Sequence, residues 1–142
     1  MGLIHATCVA IAATGVIIRG PSGAGKSDLA LRLIDGGAEL VADDYCELTV
    51  QGGRLFAAAP LSLAGKIEVR GYGIITLPFR ASAAVGLVVD LMPSTGIKGA
   101  EIERMPEITS CTLEGVTIRR LALDAFAASS AAKVRIIAGL PA

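Results

Sequence analysis

The chain reads Gly20-Pro21-Ser22-Gly23-Ala24-Gly25-Lys26-Ser27 between an apolar run and a run of good helix formers. This stretch has the G-x-x-x-x-G-K-S spacing of a phosphate loop that connects a strand to a helix. In such a loop the glycines let consecutive backbone N–H groups surround a phosphate, and the following helix directs its positive dipole end at the same place. Lys26 would reach the β- and γ-phosphates, and the Ser27 hydroxyl would ligate Mg²⁺. The stretch therefore predicts a site for a nucleoside triphosphate and Mg²⁺.

The residues around the loop predict the elements that support it. Residues 5–11 and 16–19 have the composition of two short strands, joined in a hairpin at residues 13–15. Residues 27–34 predict an amphipathic helix, and the two glycines at 36–37 end it.

The rest of the chain alternates short apolar runs with turn signals. Strands are predicted at residues 40–42, 46–50, 55–58, 74–77, 86–90, 111–113 and 116–118, and a last helix from near Asp124 to about Ala138. Residues 87–89 are consecutive apolar β-formers, which predicts a central strand buried on both faces. The predicted fold class is α/β, a P-loop domain with a mixed sheet and more hairpins than a plain doubly wound fold.

Composition limits the partners and the compartment. The 142 residues are 53% hydrophobic and 18% charged, which predicts one folded domain over residues 1–142. Thirteen basic residues balance thirteen acidic ones, so we expect no nucleic-acid or membrane partner. The uncharged run at residues 6–18 is too short to span a bilayer. Cys8, Cys46 and Cys111 are odd in number and form no CxxC pair, which favours a reducing, cytoplasmic location.

The phosphate loop does not by itself name a reaction. Switch GTPases also carry a base-reading N-K-x-D, which this sequence lacks. A kinase needs a carboxylate beside the acceptor, a further metal ligand and a positive charge for the transition state. Asp43-Asp44 follow the strand at residues 40–42, where a carboxylate can accept a hydroxyl proton. The same pair also suits an ordinary solvated turn.

Three segments in order carry a family resemblance: residues 20–27, Leu40-Val41-Ala42-Asp43-Asp44, and Ile67-Glu68-Val69-Arg70-Gly71-Tyr72-Gly73-Ile74-Ile75. They resemble the catalytic domain of bacterial HPr kinase/phosphorylase, which typically shows G-x-S-G-x-G-K-S, L-V-A-D-D and E-x-R-G-x-G-I-I. The resemblance is close over about residues 1–105 and loose beyond. It implies a P-loop fold like the nucleotide-binding core of HPr kinase and phosphoenolpyruvate carboxykinase. It also implies ATP- and Mg²⁺-dependent phosphorylation of a serine in HPr, the phosphocarrier of the phosphotransferase system.

The resemblance implies roles for the residues on the acceptor side. Asp44 would be the base that accepts the serine proton, and the acid if the reaction runs backward. Asp43 would lie in the metal shell or orient the site. His5, the single histidine of the chain, would assist Asp44, although a lone histidine is more often a satisfied or exposed residue.

The resemblance also supplies the remaining charged residues of the site. Glu68 would be a second Mg²⁺ ligand, and Arg70 would hold phosphate or position Glu68, although spacing alone fits an exposed ion pair equally well. Arg104 would stabilise charge on the γ-phosphoryl oxygens. Asp90, at the end of the central strand, has the position of a competing metal carboxylate but is more often structural in this family.

The sequence departs from the family pattern at three points. We expect a short form without the additional N-terminal domain of longer members, the region of residues 116–122 has no P-G-R-N stretch, and Lys66 replaces a common apolar residue. These departures affect the expectation of reverse phosphorolysis more than that of kinase activity. The family forms homohexamers, so we expect a homo-oligomer.

Two other functions remain compatible with the residues. One is a P-loop kinase for a small molecule, although no arginine-rich lid is visible. The other is a module that senses nucleotide without catalysis.

Overall fold

A computed structural model describes residues 2–92 and 110–141 of the chain. The elements in these residues are β1 (Gly2–His5), β2 (Thr7–Ile11), β3 (Thr14–Arg19), α1 (Lys26–Asp35), β4 (Glu39–Ala42), β5 (Tyr45–Gln51), β6 (Arg54–Ala58), a 3-10 turn (Leu61–Leu63), β7 (Lys66–Val69), β8 (Gly73–Thr76), β9 (Ala83–Leu91), β10 (Ser110–Leu113), β11 (Val116–Leu123) and α2 (Ser130–Ala138). The predicted α/β class with a mixed sheet is confirmed.

The central strand is β9, as residues 86–90 predicted. It pairs in parallel with β3 on one side and with β11 on the other. The first residues of β9 also pair antiparallel with β6. The strand order across the sheet is therefore β1-β5-β6-β9-β3-β2-β4. Strand β10 pairs with β11, and β7 and β8 form a separate two-stranded sheet.

The core lies on both faces of β3 and β9 because successive side chains of a strand point to opposite faces. Ile18 and Val89 pack in the cluster that contains the buried faces of α1 and α2. Ile17 and Val88 pack in the cluster on the other side, with apolar residues of β5 and β6. Residues 87–89 are all fully buried, which confirms the two-sided burial predicted for this strand.

Helix α1 forms as its apolar spacing predicts. Leu29, Ala30 and Leu33 are fully buried, and Asp28 pairs with Arg32 one turn later on the outer side. The helix ends at Gly36, and Gly37 has a φ of 111°, a conformation that favours glycine.

The strand predicted at residues 5–11 is divided in two. Strand β1 pairs with β5, whereas β2 pairs with β3 and β4, so the chain changes partners at Ala6. The Ala6 N–H donates to the Asp44 carbonyl oxygen at 3.0 Å. The turn predicted at residues 13–15 lies one residue earlier, at residues 12–13, and Thr14 already pairs with Ile11.

The end of the chain also differs from the prediction. Strand β11 continues to Leu123 because it pairs with β9 as far as Leu91. Helix α2 begins at Ser130 rather than near Asp124. An Asp124 carboxylate oxygen accepts a hydrogen bond from the Phe126 N–H at 2.9 Å, and this local bond favours a turn over a helix.

The topology places several strand ends at one edge. Strands β3, β4, β9 and β11 run in the same direction, since β2 is antiparallel to both β3 and β4. Ligands of such sheets bind beyond the carboxyl ends of the parallel strands. Neither α1 nor α2, the helices of the described residues, has the length and apolarity to cross a bilayer.

Candidate active site

The phosphate loop connects the end of β3 to the start of α1, as predicted. Gly23 has a φ of 81° and Gly25 a φ of 95°, which glycine adopts without strain. A Cβ atom at Gly23 would meet nothing within 4 Å, so the positive φ rather than crowding favours glycine at this position. The Ala24 N–H donates to the Pro21 carbonyl at 3.0 Å, which closes the turn.

Lys26 bends back over this loop. Its Nζ donates to the carbonyl oxygens of Gly20 at 2.7 Å and Pro21 at 3.1 Å. The side chain is buried. The ammonium group is therefore held at the mouth of the loop, where it can exchange carbonyl partners for phosphate oxygens.

Asp43 is a buried carboxylate with three donors. The Ser27 Oγ donates to its Oδ1 at 2.8 Å and Oδ2 at 3.0 Å. The Thr7 Oγ1 donates to Oδ1 at 2.8 Å, and the Glu68 N–H donates to Oδ2 at 3.0 Å. With 6% of its surface exposed, Asp43 joins the phosphate loop to β2 and β7.

Asp44 has the opposite environment although it is the next residue. Its φ of 73° lies in the left-handed region, which Asp enters more readily than most residues. Its side chain is 62% exposed, and its Oδ1 accepts a hydrogen bond from His5 Nε2 at 2.9 Å. The His5 ring lies against Tyr45, with 5.2 Å between ring centroids. The structure thus brings together the two residues that the resemblance paired.

These groups border one cleft of about 200 Å³. Glu68 at the end of β7 and Arg70 in the following turn also line it. The full lining is His5, Thr7, Ser22, Gly23, Gly25, Lys26, Ser27, Asp28, Leu31, Asp43, Asp44, Glu68, Val69 and Arg70. The cleft therefore brings residues of the phosphate loop together with three carboxylates, Asp43, Asp44 and Glu68.

The donor set of this cleft fits Mg²⁺ bound together with a triphosphate. Magnesium in phosphoryl-transfer sites is held by one or two carboxylates, water and the substrate's own phosphates. The Ser27 hydroxyl, in contact with Asp43, would supply the protein side of such a shell. Within residues 2–92 and 110–141 no three His, Cys, Asp or Glu side chains cluster closely enough to hold a metal by themselves.

Asp90 lies in a different environment at the same edge. Arg19 donates to it through Nε at 2.8 Å and Nη2 at 2.9 Å, and Arg120 donates through Nε. Burial by itself would raise the pKa of Asp90, but hydrogen bonds from the two arginines outweigh it and hold the pKa below its ordinary value. Asp90 does not line the cleft. Its contacts favour the structural role over the competing metal role.

The cysteines are all free thiols. Burial, with a smaller contribution from the charge of Asp43, raises the pKa of Cys46 to about 12. Its thiol donates to the Ala6 carbonyl. Cys46 is therefore a neutral packing residue behind the site.

One residue of the cleft, Thr7, and one partner of Asp90 outside the cleft, Arg120, were missed from the sequence. Thr7 was assigned only to a strand, yet its hydroxyl fixes Asp43, and a buried polar residue within an apolar strand was the available signal. Arg120 was not singled out, and its hydrogen bond to Asp90 appears only in the structure. Arg104 lies outside the described residues, so its role stays a prediction.

The fold and the cleft together define an α/β domain of the P-loop kinase type. The family model "HPr Serine kinase C-terminal domain" matches residues 2–134. The chain belongs to this family.

Curated relatives agree with this assignment. The chain is 43% identical over 75 residues to the HPr kinase/phosphorylase of Clostridium tetani, covering 53% of this chain and 25% of that protein. It is 37% identical over 99 residues to the HPr kinase/phosphorylase of an Exiguobacterium species, covering 64% of this chain and 32% of that protein. The chain thus spans about a quarter to a third of the curated relatives it matches.

The structure of the Hpr(Ser) kinase/phosphatase from Coxiella burnetii superposes with a TM-score of 0.79. The match covers 96% of this chain and 93% of that chain at 24% identity. This likeness supports the same fold.

Proposed function

We propose that this chain transfers the γ-phosphoryl group of ATP to a serine hydroxyl of the phosphocarrier protein HPr, with Mg²⁺ as cofactor. Family membership supports the phosphotransferase class. The names of the curated relatives support HPr as the acceptor.

The observation that carries the proposal is that Asp43 and Asp44, although adjacent in the chain, have different burial and different hydrogen-bond partners. Asp43 is buried and accepts a hydrogen bond from Ser27, whereas Asp44 is exposed in the cleft and hydrogen-bonded to His5. One carboxylate is thus positioned for the metal side and the other for an incoming hydroxyl group. A domain that only bound phosphate would not require the second.

In the proposed reaction the acceptor hydroxyl donates its proton to Asp44. The serine oxygen forms a bond to the γ-phosphorus while the bond to the bridging oxygen breaks, and ADP leaves. His5 keeps Asp44 oriented toward the acceptor through the hydrogen bond at Oδ1. A positioned base of this kind contributes roughly 10²- to 10⁴-fold to the rate.

The phosphate side binds and orients the donor. The backbone N–H groups of residues 22–27, at the start of α1, hold the phosphates, and Lys26 Nζ moves from loop carbonyls to phosphate oxygens. Mg²⁺ beside Ser27 and Asp43 would offset the charge of the β- and γ-phosphates. Glu68, whose N–H donates to Asp43, and Arg70 also line the cleft and add one further carboxylate and one further cation to it.

Three broader proposals accompany this function. We propose that the described elements belong to one catalytic domain over residues 1–142, that the protein assembles as a homo-oligomer, and that it acts in the cytoplasm. The free cysteines support the reducing compartment.

The test uses purified chain, γ-labelled ATP, Mg²⁺ and HPr from the same organism. We expect label on an HPr serine, and loss of that label when the acceptor serine is replaced by alanine. A folded chain that binds ATP and leaves HPr unlabelled would overturn the proposal.

Further arms separate the alternatives. Label on a free sugar or nucleotide would identify a small-molecule kinase, and ATP binding without turnover on any acceptor would identify a sensing module. Release of HPr label on addition of inorganic phosphate, with formation of pyrophosphate, would show that the reverse reaction is retained.

A further inference from the structure

The segment of residues 124–129, between β11 and α2, lies directly against the phosphate loop. A Cβ atom at Gly25 would be 2.9 Å from Ala125 Cβ and 3.0 Å from Phe126 Cζ. Arg32 of α1 also donates a hydrogen bond to the Ala125 carbonyl oxygen. The segment is therefore fastened both to the loop and to the helix that follows the loop.

Local bonds fix the position of Phe126 within this segment. Its N–H donates to Asp124 Oδ1 at 2.9 Å, and the buried Ser130 hydroxyl donates to the Asp124 carbonyl oxygen. Ala125 is 1% exposed, yet the Phe126 side chain beside it is 59% exposed. A well-anchored backbone thus presents a large aromatic face to solvent at the edge of the phosphate loop.

Phe126 lies beside the phosphate loop but outside the cleft described above. The acceptor side of the loop is bordered by His5, Asp44 and Glu68, and Phe126 is not among the residues that line that cleft. A triphosphate whose γ-phosphate points toward Asp44 must extend its nucleoside away from those carboxylates. Phe126 lies next to Gly25 of the loop but does not line the cleft that contains these carboxylates.

The other exposed aromatic rings of the described residues have different surroundings. Tyr45 lies against His5 on the acceptor side, and Phe79 lies against Gly65. Tyr72 is in the turn between β7 and β8. Phe126 is the exposed ring found at the backbone of the phosphate loop.

We propose that Phe126 is the platform on which the base of the bound nucleoside triphosphate stacks. This inference rests on the proposed function, since it requires a nucleoside triphosphate in the phosphate loop. Stacking on an aromatic ring tolerates every base because every base has a π-face. Phe126 therefore strengthens binding of ATP and GTP alike and contributes nothing to a triphosphate that lacks a base.

The first experiment uses the absence of tryptophan from the chain. The Phe126→Trp variant has a single indole, at the proposed platform, and the Phe79→Trp variant is its control. We expect ATP and GTP with Mg²⁺ to quench the indole fluorescence of the Phe126→Trp variant, whereas Mg²⁺ with inorganic tripolyphosphate leaves it nearly unchanged. Neither ligand should alter the fluorescence of the control. Equal responses of the Phe126→Trp variant to ATP and tripolyphosphate would overturn the platform.

The second experiment measures binding by calorimetry for the wild-type chain, Phe126→Leu and the control Phe79→Leu. Leucine keeps an apolar contact with Gly25, and circular dichroism checks that the fold is retained. We expect Phe126→Leu to weaken the binding of ATP and of GTP by roughly tenfold each, whereas the affinity for tripolyphosphate stays within about twofold of the wild-type value. The Phe79→Leu control should match the wild type.

The outcomes separate this inference from the proposed function. Unchanged ATP affinity in Phe126→Leu, or an equal loss for ATP and tripolyphosphate, would overturn the platform alone. If ATP binding depends on Phe126 but the chain leaves HPr unlabelled, only the proposal that HPr is the acceptor would be overturned. A folded wild-type chain that binds no nucleotide would overturn both.

Discussion

Two carboxylate regions lie at the same edge of the sheet and have the same sequence signal, an apolar strand followed by aspartate. The first is Asp43-Asp44 after β4, and the second is Asp90 at the end of β9. Asp43 accepts hydrogen bonds from neutral donors, Ser27 and Thr7 among them, and keeps its negative charge available. Asp90 is paired with two arginines and has its charge already compensated.

The difference shows that neighbours rather than strand position decide what a strand-end carboxylate can do. A carboxylate held by hydroxyl and N–H groups beside a phosphate loop can still attract a cation. A carboxylate between two guanidinium groups stabilises the fold instead. Substitutions in the two regions should therefore affect different properties.

The largest expected effect is on catalysis in the first region. Asp44→Asn should lower the rate of transfer to HPr by about 10²- to 10⁴-fold, because the hydroxyl group loses its proton acceptor. ATP affinity should stay within a few fold, since Asp44 lies on the acceptor side. Single-turnover transfer and calorimetry measure the two quantities. Asp35→Asn, an exposed residue at the end of α1, is the matched control, and transfer that survived Asp44→Asn would exclude Asp44 as the base.

The next effect is on stability in the second region. Asp90→Asn should lower the free energy of unfolding by about 2 to 3 kcal/mol at pH 7, because two partly buried guanidinium groups lose the negative charge of Asp90. Urea unfolding measures it, and ATP affinity should change by less than about threefold. A tenfold loss of ATP affinity without a loss of stability would reverse the contrast between the regions.

The stabilisation by Asp90 should also depend on pH. Its folded-state pKa is lowered, so the stabilisation is present above the unfolded pKa and is lost as the pH falls through the folded value. The unfolded value for Asp is about 3.9, so the loss occurs in the acid range below about pH 4. The stability difference between wild type and Asp90→Asn should shrink there. A difference that stayed constant from pH 7 to pH 3 would contradict this account.

A smaller effect is expected for the metal side of the first region. Asp43→Asn should weaken the Mg²⁺-dependent part of ATP binding by roughly 10- to 100-fold, because the partner of the Ser27 hydroxyl loses its charge. ATP binding titrated at several Mg²⁺ concentrations separates this contribution from metal-independent binding. An equal loss with and without Mg²⁺ would point to collapse of the Thr7 and Glu68 contacts instead.

The smallest effect should follow His5→Gln. Its amide can still donate to Asp44, so we expect a fall in transfer rate of about tenfold or less, as for a group that orients a base. The ATP affinity should not change. A loss as large as that of Asp44→Asn would show that His5 itself carries the proton.

The sequence predicted the local parts of the fold well. The phosphate loop, helix α1, the hairpin of β5 and β6 and the central strand all depend on short-range patterns. The division of residues 5–11 into two strands at Ala6 could not be predicted from the sequence, because it arises when β1 pairs with β5 and β2 pairs with β3. The late start of α2 had a weak local signal in Asp124, a side chain that bonds to the nearby backbone.

The sequence by itself determined that a triphosphate loop precedes a helix and which carboxylates and histidine could accompany it. Glycine geometry and spacing are local properties, and the family motif is linear. Only the tertiary structure decided which aspartate faces which neighbour. Ser27 and Asp43, His5 and Asp44, and Arg19 and Asp90 are 16, 39 and 71 residues apart. Their electrostatic environments follow from strand pairing across those distances, and the chemistry available to each carboxylate follows from that pairing.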